Sequence, residues 1–231
     1  AEGSKPIVLH VCRWCDRSAD GADALNLVDA SARSALKWND TDAADTWSNV
    51  SAAGAGTAAF TELLLVGLAD RAVDRFPSDA VMVIEAVTFA GALNGAVKLG
   101  AARERPFVHA LALDDKAKTN DPSDNNASFY SGHASFTFSL AAAAGTVATL
   151  RGYRYAPLVW GSGVALAALT SYLRIAADRH YLTDVVVGAV VGTAIGVLVP
   201  VLFHGRDAPS SPRARPDELS RPLFVGVTLS L

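Results

Sequence analysis

The sequence predicts an all-α protein, a bundle of about five to six helices. Most of this prediction depends on three long runs that lack Asp, Glu, Lys and Arg, at residues 134–150, 155–173 and 185–204. Two shorter apolar stretches precede them, 57–69 with the single acid Glu62 and 80–97 with the single acid Glu85. Runs of this length form helices that are buried inside a protein or surrounded by lipid.

The surroundings of these helices have two interpretations. About 20 mostly apolar residues are enough to cross a bilayer, which favours membrane integration or close membrane association. Ala and Gly supply much of the length, however, and that composition also suits a soluble bundle. Because a carboxylate that faces lipid is costly, Glu62 and Glu85 should face the bundle interior if the helices lie in a membrane.

Composition excludes several classes of protein. Of the 231 residues 51% are hydrophobic and 19% are charged, so the chain is too apolar to be disordered. The formal net charge of −3 argues against a protein that binds the nucleic-acid backbone, although a local cationic pocket is compatible with it. Two cysteines are too few for a disulfide scaffold.

The chain divides into three parts by composition. Residues 1–50 form a polar segment with a short helix predicted within 22–38, and 51–204 form the helical domain. Residues 205–231 form a Pro-rich tail in which 223–231 is a candidate strand. Cap-like breaks follow the predicted short helix, at Asp40, Asp42, Asp45 and Asn49.

Cys12 and Cys15 form a C-x-x-C pair in the N-terminal segment. No second such pair and no nearby pair of histidines supports a zinc site. A local disulfide in an exported protein is favoured over a redox role.

Three polar clusters lie at the edges of the apolar runs. The first holds Lys98 and Arg105, basic residues that also complement the dipole at a helix C-terminus. Nearby Arg103 and His109 either shape the entrance to a site or lie on the surface.

The second and third clusters carry histidines. Ser131, Gly132 and His133 precede an uncharged run, where a hydroxyl and free backbone N–H groups at a helix start bind anions well. In the third cluster, Asp184 follows His180 at i+4 and shares a helix face with it. A carboxylate that fixes one imidazole nitrogen leaves the other free and more basic, as a nucleophile or general base requires.

Together the clusters suit a tetrahedral oxyanion. Lys98, Arg105 and Arg174 supply three positive charges beside two histidines and one carboxylate. Such a set neutralises a doubly charged oxyanion while a histidine attacks it in line. A metal site fits worse, because the three cations would repel a divalent ion.

Three motifs in this order resemble the three-part signature of the type 2 phosphatidic acid phosphatase superfamily. They are Lys98-x6-Arg105-Pro106, Ser131-Gly132-His133 and Arg174-x5-His180-x3-Asp184. The superfamily includes lipid phosphatases, bacterial class A acid phosphatases and vanadium-dependent haloperoxidases. The resemblance spans about 57–204 and implies a helical bundle with its active site at the helix ends.

The resemblance also implies roles for the residues. His180 would attack phosphorus, Asp184 would hold its ring, and His133 would protonate the leaving alkoxide and then activate water. The non-bridging oxygens would be bound by Lys98, Arg105, Arg174, Ser131 and the Gly132 N–H. No metal or other cofactor is implied, because the cations already stabilise the charge that a metal ion stabilises elsewhere.

Two positions depart from the family pattern. Tyr130 stands where the second motif usually opens with Pro, and Leu173 stands where the third usually opens with Ser. Neither change removes a charged group or an imidazole, so activity should persist with an altered fit to the substrate.

The function expected from these observations is a metal-independent phosphatase that acts on phosphate monoesters or diphosphates, favoured to be lipid or isoprenoid phosphates. The expected location is a bacterial-type cell envelope, in association with the membrane and with the site facing the periplasm or exterior. The alternatives are a soluble periplasmic acid phosphatase, a vanadium haloperoxidase and a non-catalytic phosphate-binding scaffold.

Overall fold

The structure is a computed structural model, and it describes residues 11–204. The proline-rich segment 205–222 and the candidate strand 223–231 lie outside the described residues. Within 11–204 the regular structure is helical, with two isolated β-bridges and no strand. The predicted all-α fold is confirmed.

Eight α-helices form the described part of the chain. They are α1 (Leu27–Leu36), α2 (Thr41–Ala69), α3 (Phe76–Ala101), α4 (Pro106–His109), α5 (Leu113–Lys116), α6 (Gly132–Leu150), α7 (Ala156–Ala176) and α8 (Leu182–Val199). This number exceeds the predicted five to six because α4 and α5 are single turns of four residues, too short to give a periodic pattern.

Polar caps and short turns set the helix boundaries. Asn26 accepts a hydrogen bond from the Asp29 N–H at the start of α1, and Asp40 accepts one from the Ala43 N–H at the start of α2. Helix α3 ends at Ala102, which has φ of 42° in the left-handed region. Short turns join α2 to α3, α6 to α7 and α7 to α8, whereas the longer connection from α3 to α6 carries α4 and α5.

Helix α6 lies at the centre of the bundle, packed against α2, α3, α7 and α8. Thirteen of its 19 residues are buried, and most of these are small. Gly188, Gly192 and Gly196 of α8 face its backbone so closely that a Cβ on Gly188 would lie 2.6 Å from the Ser131 carbonyl oxygen. Small residues at this spacing let two helix backbones approach each other.

Because the long helices alternate in direction, five of their termini meet at one end of the bundle. These are the N-termini of α2, α6 and α8 and the C-termini of α3 and α7, and we call this the site end. The opposite end is stabilised by buried Asp79, which accepts hydrogen bonds from Arg151 Nε at 2.7 Å and from the Tyr153 hydroxyl at 2.8 Å.

The N-terminal segment packs onto the site end. A Cys12–Cys15 disulfide closes a short loop there, as the sequence predicts. The Glu104 N–H donates to the Trp14 carbonyl oxygen at 3.0 Å, so this loop lies beside the connection that follows α3. Helix α1 packs against α7 and α8, so it also covers the site end.

The outer faces of the bundle are apolar. In the described residues, four helices are long and apolar enough to cross a membrane, and they comprise Thr41–Ala69, Val73–Ala101, Ala156–Ala176 and Leu182–His204. Their exposed side chains include Leu65, Leu68, Val81, Ile84, Phe89, Leu93, Leu158, Val164, Leu169, Val186, Val190 and Leu198. The acid Glu85 is half exposed rather than facing the interior, and it pairs with His204 Nε2 at 2.7 Å.

Candidate active site

A cavity of about 690 Å³ opens at the site end of the bundle. Five of the predicted site residues line it, namely Lys98, Arg105, His133, Arg174 and His180. The other three, Ser131, Gly132 and Asp184, lie directly behind this wall. The structure therefore brings together residues from three motifs that are up to 86 positions apart in the chain (184 − 98).

Three cations converge on the cavity from different elements. Arg105 is buried and anchored by Asp124, whose carboxylate lies 2.8 Å from Nη2, and by the Arg179 carbonyl oxygen at 3.0 Å from Nη1. Arg174 donates through Nη1 to Asp45 and Ser48, while its Nε has no partner among the described residues. A buried guanidinium N–H without an acceptor indicates a place for an anion.

Lys98 approaches the start of α6. Its Nζ lies 3.7 Å from the position that a Cβ on Gly132 would occupy. The Ser131 side chain caps α6 by accepting from the Ala134 N–H at 3.4 Å, which leaves the first N–H groups of α6 facing Lys98. A helix N-terminus and an ammonium group thus face the same space.

The hydrogen bonds of His180 fix its tautomer. Its Nδ1 lies 2.8 Å from the Ser128 carbonyl oxygen, which only accepts, so Nδ1 carries the proton. Nε2 is then unprotonated and lies 3.5 Å from Arg105 Nη1 in the cavity wall. The Asp184 carboxylate lies farther from Nδ1, at 3.8 Å.

His133 stands across the cavity and is held by α2. Its Nε2 lies 2.8 Å from the Asn49 side-chain oxygen. Burial, together with the positive charges of Arg174 and Lys98, lowers the pKa of His133 to about 4. The same causes, with burial the largest, lower the pKa of His180 well below its ordinary value. Both imidazoles are therefore neutral near pH 7.

Helix α2 contributes side chains that the sequence analysis assigned to helix breaks. Of that set, Asp40 is a cap, but Asp45 and Asn49 lie within α2 on one face with Ser48. Asp45 binds Arg174 Nη1 at 2.5 Å and Arg179 Nη2 at 3.1 Å. The i, i+3, i+4 spacing of these polar residues was the available signal, because it marks one face of a helix.

Sequence reasoning assigned no role to Ser128 and misplaced Arg103 and His109. The Ser128 carbonyl oxygen accepts a hydrogen bond from His180 Nδ1–H, and the Ser128 hydroxyl donates to Asp184 Oδ2 at 2.5 Å. Arg103, expected at the entrance or on the surface, is fully buried. His109 is also buried, between Glu104 and Asp23 at 3.2 Å each.

This arrangement can bind and react with a tetrahedral oxyanion. Cations and a helix N-terminus stabilise the charge on the anion, and the Nε2 lone pair of His180 supplies a nucleophile. His133 stands opposite as a proton donor or acceptor.

Comparison with known proteins agrees with this chemistry. The family model described as the PAP2 superfamily matches residues 79–207, more than half of the chain. No curated protein and no solved structure matches the chain significantly. The chain belongs to the PAP2 superfamily, which supports a phosphatase-type activity and a phosphate-ester substrate.

Proposed function

We propose that this protein is a metal-independent phosphatase that hydrolyses lipid-borne phosphate monoesters or diphosphates through a phosphohistidine intermediate. The observation that carries the proposal is the unprotonated Nε2 of His180, aimed into a cavity beside Arg105 and near two further cations.

In the first step His180 Nε2 attacks phosphorus and the bond to the leaving oxygen breaks. Arg105, Arg174 and Lys98 stabilise the charge on the non-bridging oxygens, together with the N–H groups at the start of α6. The Nδ1 proton stays on His180 because the Ser128 carbonyl oxygen holds it. His133 gives its proton to the leaving oxygen, so that a monoester releases an alcohol and a diphosphate releases a monophosphate.

In the second step neutral His133 accepts a proton from a water molecule. The resulting hydroxide attacks phosphorus, and the P–N bond to His180 breaks. Inorganic phosphate leaves, and His180 regains its Nε2 lone pair. The negative charge of a bound phosphate dianion offsets the three nearby positive charges. It therefore favours the protonated form of His133, which the first step requires.

The charges of the site support chemistry without a metal ion. Three cations already face the position of the phosphoryl oxygens, and they would repel a divalent ion there. Among the described residues no group of three or more His, Cys, Asp or Glu is arranged to hold a metal.

The position of the cavity along the length of the bundle supports a lipid substrate. Trp47 and Tyr172 lie on outer faces at the level of Ser48 and Arg174, and aromatic residues of this kind occupy the headgroup region of membranes. Helix α7 has 21 residues, about 32 Å, which matches the thickness of a bilayer core. A phosphate at the depth of the cavity would therefore lie at headgroup level.

The test is phosphate release from p-nitrophenyl phosphate and from phosphatidic acid by the detergent-solubilised protein. We expect turnover that persists in excess EDTA, is blocked by vanadate, and is lost in His180→Ala. His204→Ala is the matched control, because His204 lies at the opposite end of the bundle and should leave activity unchanged. Full activity in His180→Ala, or abolition by EDTA, would overturn the mechanism. Turnover of p-nitrophenyl phosphate alone would overturn the lipid substrate.

A further inference from the structure

We propose that Arg103 is a positioning residue for the nucleophile, and that the N-terminal segment is part of the active site because it holds Arg103 in place. The inference rests on the proposed function of His180. It assigns a catalytic purpose to residues that lie before the part of the chain matched by the family model.

Arg103 is the centre of a buried charge cluster. Its side chain has 0% exposure and donates to three carboxylates, Asp184 at 2.7 Å, Asp29 at 2.9 Å and Asp16 at 3.0 Å. These carboxylates come from α8, α1 and the residue that directly follows the disulfide, so one guanidinium joins three parts of the chain. A buried guanidinium of this kind is stable only when its N–H groups are satisfied.

Two aromatic rings enclose the same guanidinium. Its carbon lies 4.3 Å from the ring centroid of Trp14 on one side and 4.2 Å from that of Tyr181 on the other. Tyr181 follows His180 directly in the chain. The plane of Arg103 is therefore fixed both by hydrogen bonds at its edge and by π contacts at its faces.

A short series of hydrogen bonds connects Arg103 to the nucleophile. Arg103 binds one oxygen of Asp184, and the other oxygen accepts from the Ser128 hydroxyl and from the Tyr181 N–H at 2.9 Å. Ser128 in turn holds His180 Nδ1 through its carbonyl oxygen. Arg103 thus orients Asp184, and Asp184 orients the two residues that set the position of the His180 ring.

Asp29 strengthens this arrangement from the N-terminal side. It accepts from the Thr183 N–H at 2.9 Å and from the Thr183 hydroxyl at 2.7 Å, in addition to Arg103. The first turn of α8, which follows His180, is therefore bound to α1. Loss of Asp29 would release both Arg103 and this turn.

The experiment compares Arg103→Lys and Asp29→Asn with Asp79→Asn in the full chain. Asp79 is an equally buried carboxylate paired with an arginine, but it lies at the opposite end of the bundle. We expect the two positioning variants to lower kcat by about 100-fold per active site with KM changed less than about threefold, because a displaced nucleophile slows chemistry more than binding. The stoichiometry of vanadate binding at saturation gives the number of active sites, so a partly unfolded sample is corrected for.

A second measurement does not need turnover. Long-range 1H–15N spectra of 15N-histidine-labelled protein report which nitrogen of His180 carries the proton. We expect the wild type and Asp79→Asn to show the Nδ1–H tautomer, and Arg103→Lys and Asp29→Asn to show a mixture of tautomers. The inference would be overturned if both positioning variants kept the wild-type tautomer and, where turnover is present, the wild-type kcat per active site. Absence of turnover in the wild type would instead contradict the proposed function, and the tautomer would still test the positioning.

Discussion

At the scale of single residues, the cavity keeps two imidazoles neutral in a strongly positive environment. His180 is 2% exposed, and Lys98, Arg105 and Arg174 all disfavour its protonation. His133 experiences the same charges, with partial compensation from Asp45. Neutrality suits a nucleophile in the resting enzyme, and the arrival of a phosphate dianion then favours protonation of His133.

The lowered pKa of His133 predicts a pH dependence of stability. In the unfolded chain a histidine titrates near pH 6.5, whereas in the folded protein His133 titrates at about 4. Between these values the unfolded state binds more protons, so this contribution to stability is complete above about pH 6.5 and is lost as the pH falls toward 4. We expect the Tm to fall less between pH 7.5 and pH 5.0 in His133→Gln than in the wild type, as measured by thermal unfolding in detergent. An equal fall in both proteins would contradict the assignment.

The sequence predicts the residues that line the cavity better than the residues that hold them in place. Lys98, Arg105, Arg174 and His180 belong to short motifs whose spacing is readable, and they meet at one cavity. Asn49, Ser128 and Arg103 act through contacts 84, 52 and 81 positions away along the chain. Partners so distant in sequence leave no local pattern, because only the packing of the helices brings them together.

At the scale of secondary structure, the contact between α6 and α8 determines the geometry of the site. Their N-termini carry His133 and Asp184, and the Ser131 N–H donates to the Asp184 carbonyl oxygen at 3.0 Å. The glycines of α8 allow this approach by placing no side chain against α6. The separation of the two helices therefore sets the separation of the catalytic groups.

Substitution of one of these glycines should disturb both stability and activity. In Gly192→Ala the new Cβ would overlap the Ser135 carbonyl oxygen and lie 2.9 Å from the Ser135 Cα, so the helices must move apart. Overpacking of this kind costs about 1–3 kcal/mol. We expect a lower Tm and reduced kcat.

Gly91→Ala provides the control for this prediction. Gly91 is also within a long helix, but a Cβ there would contact nothing within 4 Å. Since Ala favours helix by up to about 1 kcal/mol over Gly, this variant should be as stable as the wild type or more so. Equal stability of the two variants in thermal unfolding would show that the α6 to α8 contact tolerates expansion.

The elements themselves were predictable where hydrophobic runs are long. The runs 134–150, 155–173 and 185–204 correspond closely to α6, α7 and α8. Helix α2 begins at Thr41, well before the apolar stretch at 57–69, because residues 41–49 face the polar cavity on one side. A helix whose apolar character begins partway along its length is read from sequence as two different segments.

At the scale of the whole molecule, the fold separates an apolar girdle from one polar end. The disulfide Cys12–Cys15 lies at that polar end, and disulfides form in oxidising compartments outside the cytosol. We propose that, if the girdle lies in a bilayer, the cavity faces the exterior.

This orientation predicts the accessibility of two engineered cysteines. Lys118 is exposed beside the cavity, and Arg71 is exposed in the turn after α2. In intact bacterial cells that express each variant, we expect a membrane-impermeant maleimide to label Lys118→Cys, and to label Arg71→Cys only after the membrane is permeabilised. Labelling of both in intact cells would contradict a spanning bundle, and the reverse pattern would contradict the orientation.

The position of α1 and the disulfide-closed loop determines how much of the chain an active fragment would need. A fragment cut to residues 79–207, where sequence similarity is recognisable, would retain the nucleophile and the three cations. It would lack Asp16, Asp29, Asp45 and Asn49, which hold Arg103, Arg174 and His133 in place. We therefore expect the smallest active fragment to be longer than the region matched by the family model, and to begin before Trp14.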